Sequence, residues 1–378
     1  MQKIKTATVT FHASHNYGSM LQAYALQHIL KNELNVDNEI INFRSDRQKE
    51  VYPIPSSQNY SLKRRFARWL LGYNDKPLLD KYNLFENFLK EKLILSQEFN
   101  NEEEVAEYAQ QFDYLISGSD QIWNTFCYDF SWLFFLPFAK NNAIAYAPSM
   151  GPIGKTTIEQ DYYSKINECL NNYKAISVRE KGTAEAIKAI SNKEVETHVD
   201  PTLLIKPETW NEFSGNKPLI DGDYIFMYQP FISEAFCKIS KKISKITGLP
   251  IVVSNQLPSR AELYNKIPFT TKIKTKLDCG PIEFLNLIKN AKFVISASFH
   301  AVVFSIIFNR PFFAINGNTD NRMSHLLEAT GLLDYGAKAE DYSSVLTKVP
   351  EISFNKAKSY IDYERERGIS FLRESLNI

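Results

Sequence analysis

Residues 293–315 read Phe293-Val-Ile-Ser-Ala-Ser-Phe-His-Ala-Val-Val-Phe-Ser-Ile-Ile-Phe-Asn-Arg-Pro-Phe-Phe-Ala-Ile315. The apolar runs predict a short buried strand, a serine-rich turn, an apolar helix and, after Pro311, a second buried strand. Ser296 or Ser298 can cap the helix, which places His300 in its first turn. Free backbone N–H groups and the helix dipole favour an anion there, and a histidine can hold or protonate one near neutral pH. The alternative is a histidine that only packs at a strand–helix junction.

Strand and helix alternate on both sides of this stretch. Buried strands are predicted at residues 6–11, 39–43, 113–117, 143–147, 174–178, 224–228 and 250–254, with helices at 19–34, 179–190, 234–247 and 281–290. Lys-Pro, Ser-Gly and Asp-Gly pairs between Ile205 and Asp223 predict a linker. The pattern therefore predicts an α/β protein of two Rossmann-type, doubly wound domains, residues 1–210 and 221–350, that face a central cleft. A polar helix at 355–376 is expected to pack back on the first domain.

The composition limits the classes of partner. The chain has 378 residues and a formal net charge of +1, which argues against nucleic acid as a partner. Its 4 cysteines are far apart and form no metal-binding spacing with histidine, so no metal site is predicted and only a loosely bound Mg²⁺ is left open. No signal peptide or membrane span is recognisable, and the protein is expected to be cytoplasmic.

Two loops that follow predicted strands carry polar side chains suited to binding. The first, His12–Ser19, offers Asn16, Tyr17 and Gly18, and the glycine allows a close approach to the backbone. The second, Ser117–Asn124, offers Asp120 to accept a hydroxyl proton, with Gln121 and Asn124 to bond sugar hydroxyls. The alternatives are an ordinary strand–helix turn for the first loop and a helix-capping aspartate for the second.

Further candidates stand at the ends of other strands. Tyr146 and Ser149 precede a flexible glycine, and this segment could also be a plain loop. Arg179 ends one strand and starts a helix, where its guanidinium suits a carboxylate or phosphate; the alternative is an ion pair with a neighbouring carboxylate. Arg322 precedes an apolar helix and could instead be a solvated surface residue.

Residues 62–71 form a basic amphipathic segment, Leu62-Lys-Arg-Arg-Phe-Ala-Arg-Trp-Leu-Leu71. Such a segment can rest on an anionic membrane surface. The pattern favours the alternative, an ordinary helix with a basic exposed face. Peripheral membrane contact through this segment is therefore one of two interpretations.

Taken together, an ordered series of motifs resembles the polysaccharide pyruvyl transferase family. The matching pieces run from near residue 5 to near residue 332. They are Asn16-Tyr-Gly-Ser-Met-Leu-Gln-Ala-Tyr-Ala-Leu26, Ser117-Gly-Ser-Asp-Gln-Ile-Trp-Asn124, Tyr146-Ala-Pro-Ser-Met-Gly151, Ile176-Ser-Val-Arg-Glu180, Val199-Asp-Pro-Thr-Leu-Leu204, Gly280-Pro-Ile-Glu-Phe284, Ser298-Phe-His-Ala301, Phe308-Asn-Arg-Pro311 and Arg322-Met-Ser-His-Leu-Leu327. Ser298 stands where members of the family carry arginine, and Ala301 stands where glycine is usual.

The resemblance implies a GT-B-like fold and transfer of pyruvate from phosphoenolpyruvate to two hydroxyls of one sugar, which gives a cyclic ketal and phosphate. It implies that Arg179 and His300 lie at the donor, with Ser298 at a phosphate contact and Arg322 or Arg310 supplying the charge that Ser298 lacks. His300 is then the candidate acid, because protonation of the donor methylene carbon requires one. The sugar acceptor, free or lipid-linked, falls to the Asn16, Ser117 and Tyr146 loops, with Asp120 as the candidate base. No resident cofactor is expected.

Two other functions fit the same pattern. The first is a GT-B glycosyltransferase with a nucleotide-sugar donor, which would need an acidic residue to bind the ribose, and none stands out. The second is a non-catalytic carbohydrate-binding partner in polysaccharide export. The combination of a histidine with two candidate anion-binding arginines argues against the second.

Overall fold

The computed structural model describes residues 3–55, 76–151, 160–229, 234–254, 273–337 and 350–378. These residues form two parallel sheets with helices on both faces. The elements of the first half are β1 (Lys5–Val9), α1 (Tyr17–His28), β2 (Asp37–Phe43), α2 (Asp46–Val51), α3 (Lys76–Lys92), β3 (Leu95–Phe99), α4 (Glu102–Tyr108), β4 (Tyr114–Ser117), β5 (Ala143–Ala145), α5 (Tyr163–Asn171), β6 (Tyr173–Val178), α6 (Lys181–Ile190) and β7 (Glu196–Thr197). The segment 62–71, interpreted from its sequence as a membrane contact or as an ordinary helix, lies outside the described residues.

The second half begins with α7 (Pro207–Phe213), which leads to the second sheet. Its further elements are β8 (Ile225–Tyr228), α8 (Glu234–Thr247), β9 (Ile251–Val253), β10 (Ile273–Thr275), α9 (Pro281–Asn290), β11 (Phe293–Ser296), α10 (Phe299–Ile307), β12 (Phe312–Ile315), α11 (Asn321–Thr330), β13 (Gly336–Ala337) and α12 (Asn355–Ser375). Helices lie between most successive strands, as parallel pairing requires.

Each sheet reverses its strand order near its middle. The first sheet has the order β3-β2-β1-β4-β5-β6-β7 and the second β10-β9-β8-β11-β12-β13, and the pairs within them are parallel. The reversals fall between β1 and β4 and between β8 and β11. Ligands of doubly wound sheets bind beside the carboxyl ends of strands at such a reversal. The predicted α/β class with two Rossmann-type halves is confirmed, and the loops after β1, β4 and β11 are where a ligand is expected.

The predicted linker between Ile205 and Asp223 contains a helix, α7. Pro207 occupies its first turn, where the missing N–H costs nothing. Trp210 fixes the helix to the core, because its fully buried indole donates from Nε1 to the carbonyl of Thr202 at 2.9 Å. The residue pairs with glycine or proline around α7 predicted a loop. The segment is helical instead, because the buried Trp210 side chain packs it against the core.

Side chains from both halves meet at the junction between the sheets. The Tyr17 ring stacks on Phe284 with 4.3 Å between centroids, and the Tyr17 hydroxyl donates to the carbonyl of Cys279 at 3.0 Å. α12 returns to the first half, where Lys174 Nζ donates to the carbonyl of Ser375 at 2.8 Å. Within the described ranges, no helix is both long and apolar enough to cross a membrane.

Candidate active site

The start of α1 brings two candidate catalytic groups together. Asn16 caps this helix, because its side-chain oxygen accepts from the backbone N–H groups of Gly18 at 2.9 Å and Ser19 at 3.4 Å. A Cβ on Gly18 would lie 2.0 Å from Nδ1 of His300, so the imidazole ring rests directly on the glycine backbone. The Ser19 hydroxyl donates to Oδ2 of Asp120 at 2.5 Å. Two consecutive residues therefore hold the histidine of one half and the aspartate of the other.

Asp120 is held in an uncommon backbone conformation after β4. Its φ is +74°, in the left-handed region that a residue with a side chain seldom adopts. The backbone N–H of Gln121 donates to Oδ1 at 2.8 Å, and the backbone N–H of Ser149 donates to the Asp120 carbonyl at 2.8 Å. Both carboxylate oxygens are thus oriented by the protein. Strained residues that the surroundings fix in this way are concentrated at functional sites.

A buried charge cluster joins the two halves. Arg179 donates from Nε to Oε1 of Glu180 at 2.7 Å and from Nη1 to Oδ2 of Asp200 at 2.9 Å. Nε2 of His300 lies 3.3 Å from the same Asp200 oxygen, within ion-pair distance but without the angle of a hydrogen bond. The guanidinium also stacks over Phe299, 4.7 Å from its ring centre. Two carboxylates therefore already hold Arg179, and Nη2 is its one nitrogen without a partner among the described residues.

Asp200 and Arg179 keep their charges in spite of burial. Burial acts to raise the pKa of Asp200, but the neighbouring His300 imidazole and Arg179 guanidinium outweigh it and hold that pKa well below its usual range. Burial likewise acts to lower the pKa of Arg179, yet Glu180 and Asp200 raise it above its ordinary value. Asp200 is therefore an anion at neutral pH that faces both the arginine and the histidine.

A cavity of about 270 Å³, named here the basic pocket, opens on one side of this cluster. It is lined by Arg179, Lys181, Thr197, His198, Val199, Asp200, Leu203, Phe299, Arg322, His325, Leu326, Ala329, Tyr360, Glu364 and Arg367. Four of these side chains are permanent cations and two are carboxylates. Glu364 pairs with Arg367 at 2.8 Å, and Lys181 is exposed. Glu180 and Asp320, which are not among the lining residues, pair with Arg179 and Arg322, so these cations are balanced by carboxylates. The arginine N–H groups that remain without a partner in the described part of the chain still suit a small anion with more than one negative group.

A second cavity of about 220 Å³, named here the polar pocket, lies on the other side. It is lined by Phe11, Ser14, Asn16, Ser19, Tyr52, Asp120, Gln121, Cys127, Asp129, Ala297, Ser298, Phe299, His300 and Arg322. Hydroxyl, amide and carboxylate groups of this kind suit a polyhydroxylated ligand. Phe299 and Arg322 line both pockets, so the two cavities share a wall.

The structure brings most of the predicted site residues to these pockets. Asn16, Asp120, Gln121, Ser298, His300 and Arg322 line the polar pocket, and Arg179 and Arg322 line the basic pocket. Ser298 starts α10 without a side-chain capping bond; its own N–H donates to Ser296 Oγ at 3.0 Å. Gly18 was expected to admit a ligand, and it admits the ring of His300 instead.

Other predicted residues lie away from both cavities. Tyr17 packs at the junction of the sheets, and Tyr146 is fully buried with its hydroxyl donating to the carbonyl of Val199 at 3.2 Å. Ser149 is also fully buried, and its hydroxyl accepts from the N–H of Gly151 at 2.9 Å. Asn124 packs against the same glycine. Arg310 lies between the C-terminal end of α10 and the start of β12, whereas His300 lies at the N-terminal end of α10. These side chains serve the surrounding structure rather than the pocket walls.

Several residues of the site were not predicted from the sequence. Asp200 belongs to the motif Val199-Asp-Pro-Thr, and an acidic residue in the loop after a short strand was a signal that could have identified it. His325 lies one turn after Arg322 in α11, where helical spacing places both on one face. Arg367 had no such signal, since it comes from the C-terminal helix and only the tertiary fold brings it to the basic pocket.

Comparison with known proteins bears on the family and on the fold. A family model described as polysaccharide pyruvyl transferase matches residues 16–319. No curated protein matches the sequence significantly. Among solved structures, UDP-N-acetylglucosamine 2-epimerase from Rickettsia bellii aligns with a TM-score of 0.52 and 9% identity over 100% of this chain and 98% of that one. The UDP-GlcNAc 2-epimerase from Neisseria meningitidis bound to UDP-GlcNAc gives 0.52 and 8% identity over 99% of each chain. At such identities the likeness shows the fold alone, which is GT-B.

Proposed function

The chain belongs to the polysaccharide pyruvyl transferase family, and we propose that it moves pyruvate from phosphoenolpyruvate onto two hydroxyls of one sugar, forming a cyclic ketal and releasing phosphate. One observation carries this proposal: a basic pocket and a polar pocket share the wall formed by Phe299 and Arg322, and His300 stands beside that wall. We place the donor in the basic pocket and the sugar in the polar pocket. The sugar is part of a polysaccharide or of its lipid-linked precursor, at the cytoplasmic face.

The charges of the basic pocket match those of the donor. Phosphoenolpyruvate carries a carboxylate and a phosphate, and arginine and lysine bind both groups through charge-assisted hydrogen bonds. Arg179 offers the donor only Nη2, because Glu180 and Asp200 occupy its other nitrogens. Arg322 approaches from α11, with Nε and Nη2 held by Asp320 at 3.0 and 2.6 Å. The arginines proposed to bind the donor are therefore oriented before the donor arrives. This preorganisation lowers the entropic cost of binding.

His300 is the proposed acid that protonates the methylene carbon of the donor. Its ring packs against the Gly18 backbone on the Nδ1 side and faces the Asp200 carboxylate with Nε2. A carboxylate beside a histidine orients the ring. Proton delivery gives positive charge at C2 of the donor, and the Asp200 anion 3.3 Å from the ring supports this charge as it develops.

Asp120 is the proposed base for the sugar. It lines the polar pocket, and Ser19 and the Gln121 N–H orient its two oxygens. A carboxylate held in this way can accept a hydroxyl proton as the oxygen attacks C2. Because Ser19 follows Gly18 directly, this base and the His300 acid stand on the same side of the polar pocket.

Titration calorimetry with phosphoenolpyruvate tests the donor half of the proposal. Wild-type protein is expected to bind it, and Arg322→Ala is expected to weaken binding about tenfold or more, because each lost charge-assisted hydrogen bond costs roughly 1.5–3 kcal/mol. Binding of UDP-sugars or CMP-sugars, with no binding of phosphoenolpyruvate, would support a glycosyltransferase instead. Measuring phosphate release from phosphoenolpyruvate with and without EDTA tests the expectation that no metal is required.

A further inference from the structure

We propose that Asp129 is the second base of the reaction and takes the proton of the second sugar hydroxyl as the ketal ring closes. The inference rests on the proposed function above and assigns a role to a residue that the family motifs quoted above do not include. Asp129 lines the polar pocket together with Asp120, Tyr52 and His300. The two carboxylates therefore face one cavity.

The stoichiometry of ketal formation calls for two proton acceptors. In the first step a sugar oxygen bonds to C2 of phosphoenolpyruvate, its proton passes to Asp120, and C3 gains a proton from His300 to become a methyl group. In the second step the C2–O bond to phosphate breaks and the second sugar oxygen bonds to C2. The proton of that second hydroxyl must then leave, and it is released in the end to solvent or to the departing phosphate.

The positions of Asp120 and Asp129 assign each carboxylate to one of the two steps. Asp120 is held by Ser19, next to the glycine that carries the His300 ring, so this aspartate belongs with the acid of the first step. Asp129 lines the cavity from further along the segment that follows β4, near Phe126 and Tyr128, which are exposed at the surface. Two vicinal or 1,3-related hydroxyls of one sugar can thus each meet a different carboxylate.

His300, the proposed acid, is only 8% exposed and lines the same cavity as both aspartates. Its Nε2 lies 3.3 Å from Oδ2 of Asp200, so the ring is oriented before a ligand binds. Burial raises the pKa of Asp129, and the negative charge of Asp120 raises it further, so its carboxylate accepts a proton more readily than a solvent-exposed aspartate does.

The test compares two products of one reaction. Wild type and Asp129→Asn are incubated with phosphoenolpyruvate and an acceptor: methyl galactoside, methyl glucoside, methyl N-acetylmannosaminide, or a lipid-linked disaccharide that ends in one of these sugars. The amounts of phosphate, pyruvate and ketal formed are then measured. Without the second base, water attacks C2 instead, and collapse of that adduct returns the sugar and frees pyruvate. We expect one ketal per phosphate in wild type and fewer than about one per ten in Asp129→Asn, with pyruvate making up the difference.

Control variants keep a structural defect distinct from a chemical one. Asp120→Asn should slow phosphate release and ketal formation together and keep their ratio at one, and Asp129→Glu should restore part of the ratio. Asp221→Asn, at an exposed position of the linker, should leave both unchanged. A ratio of one in Asp129→Asn, whether the rate is normal or reduced, would overturn the inference. Wild type that releases no phosphate with any acceptor would overturn the proposed function itself, and the inference with it.

Discussion

Replacing Gly18 by alanine should disable the site by displacing one ring. The new Cβ would stand 2.0 Å from Nδ1 of His300, and an ordinary contact is at least 3.4 Å, so the imidazole must retreat by more than 1 Å. A displacement of about 1 Å at a catalytic group can cost roughly a hundredfold in rate. The helix itself should not suffer, because alanine favours a helical position over glycine by about 1 kcal/mol. The expected result is about a hundredfold loss of turnover with a nearly unchanged melting temperature.

A double-mutant cycle with His300→Ala makes this reasoning refutable. Turnover is measured as phosphate release from phosphoenolpyruvate, and stability as the thermal unfolding midpoint, for wild type, the two single variants and the double variant. Once the imidazole is gone the alanine at position 18 has space, so it should lower the residual rate of His300→Ala by less than about twofold. Wild-type turnover in Gly18→Ala, or an equal loss in both backgrounds, would refute the account of Gly18.

Three further predictions address the charges. Asp200→Asn should lower turnover roughly 10–100-fold, with normal turnover arguing against its role beside His300. Arg322→Ala should raise KM for phosphoenolpyruvate, whereas Arg310→Ala should leave it unchanged because it follows the far end of α10. Burial acts to raise the pKa of Glu86, but hydrogen bonds from a histidine and an arginine hold it at about 2, so its ionised form stabilises the fold above about pH 4.5 and this contribution disappears toward pH 2. Glu86→Gln should therefore flatten the acid limb of the unfolding free energy, measured by urea titration; an unchanged slope would contradict this.

The periodicity of the sequence was sufficient for the architecture. Short apolar runs such as Phe293–Ser296 and Ile225–Tyr228, each followed by a helix pattern, predicted buried parallel strands, and the sheets contain them. β3 (Leu95–Phe99) was missed because its sequence, Leu-Ser-Gln-Glu-Phe, has a polar middle. α7 was missed because the proline that starts a helix was taken for a breaker. Local signals thus failed where a strand is weakly apolar or where a distant side chain decides.

The site was harder to predict than the fold. The rule that ligands sit after the carboxyl ends of strands found Asp120, Arg179 and His300. It could not show which side chains are accessible, so it named Ser149, which is fully buried, as well as Gln121, which lines the polar pocket. For Arg179, the alternative weighed from the sequence, an ion pair with a neighbouring carboxylate, is present in the structure. Glu180 is the next residue and could be named from the sequence, whereas the second carboxylate, Asp200, is brought to Arg179 by the tertiary fold.

The most direct test of the proposed transfer is a single reaction followed by two readouts. Purified protein is incubated with phosphoenolpyruvate and a panel of hexose glycosides and lipid-linked disaccharides, while phosphate is measured and the sugars are analysed by mass spectrometry. The proposed function predicts a sugar product heavier by one pyruvate less one water, formed in step with phosphate. Absence of phosphate release with every acceptor, together with thermal stabilisation by nucleotide sugars, would contradict it.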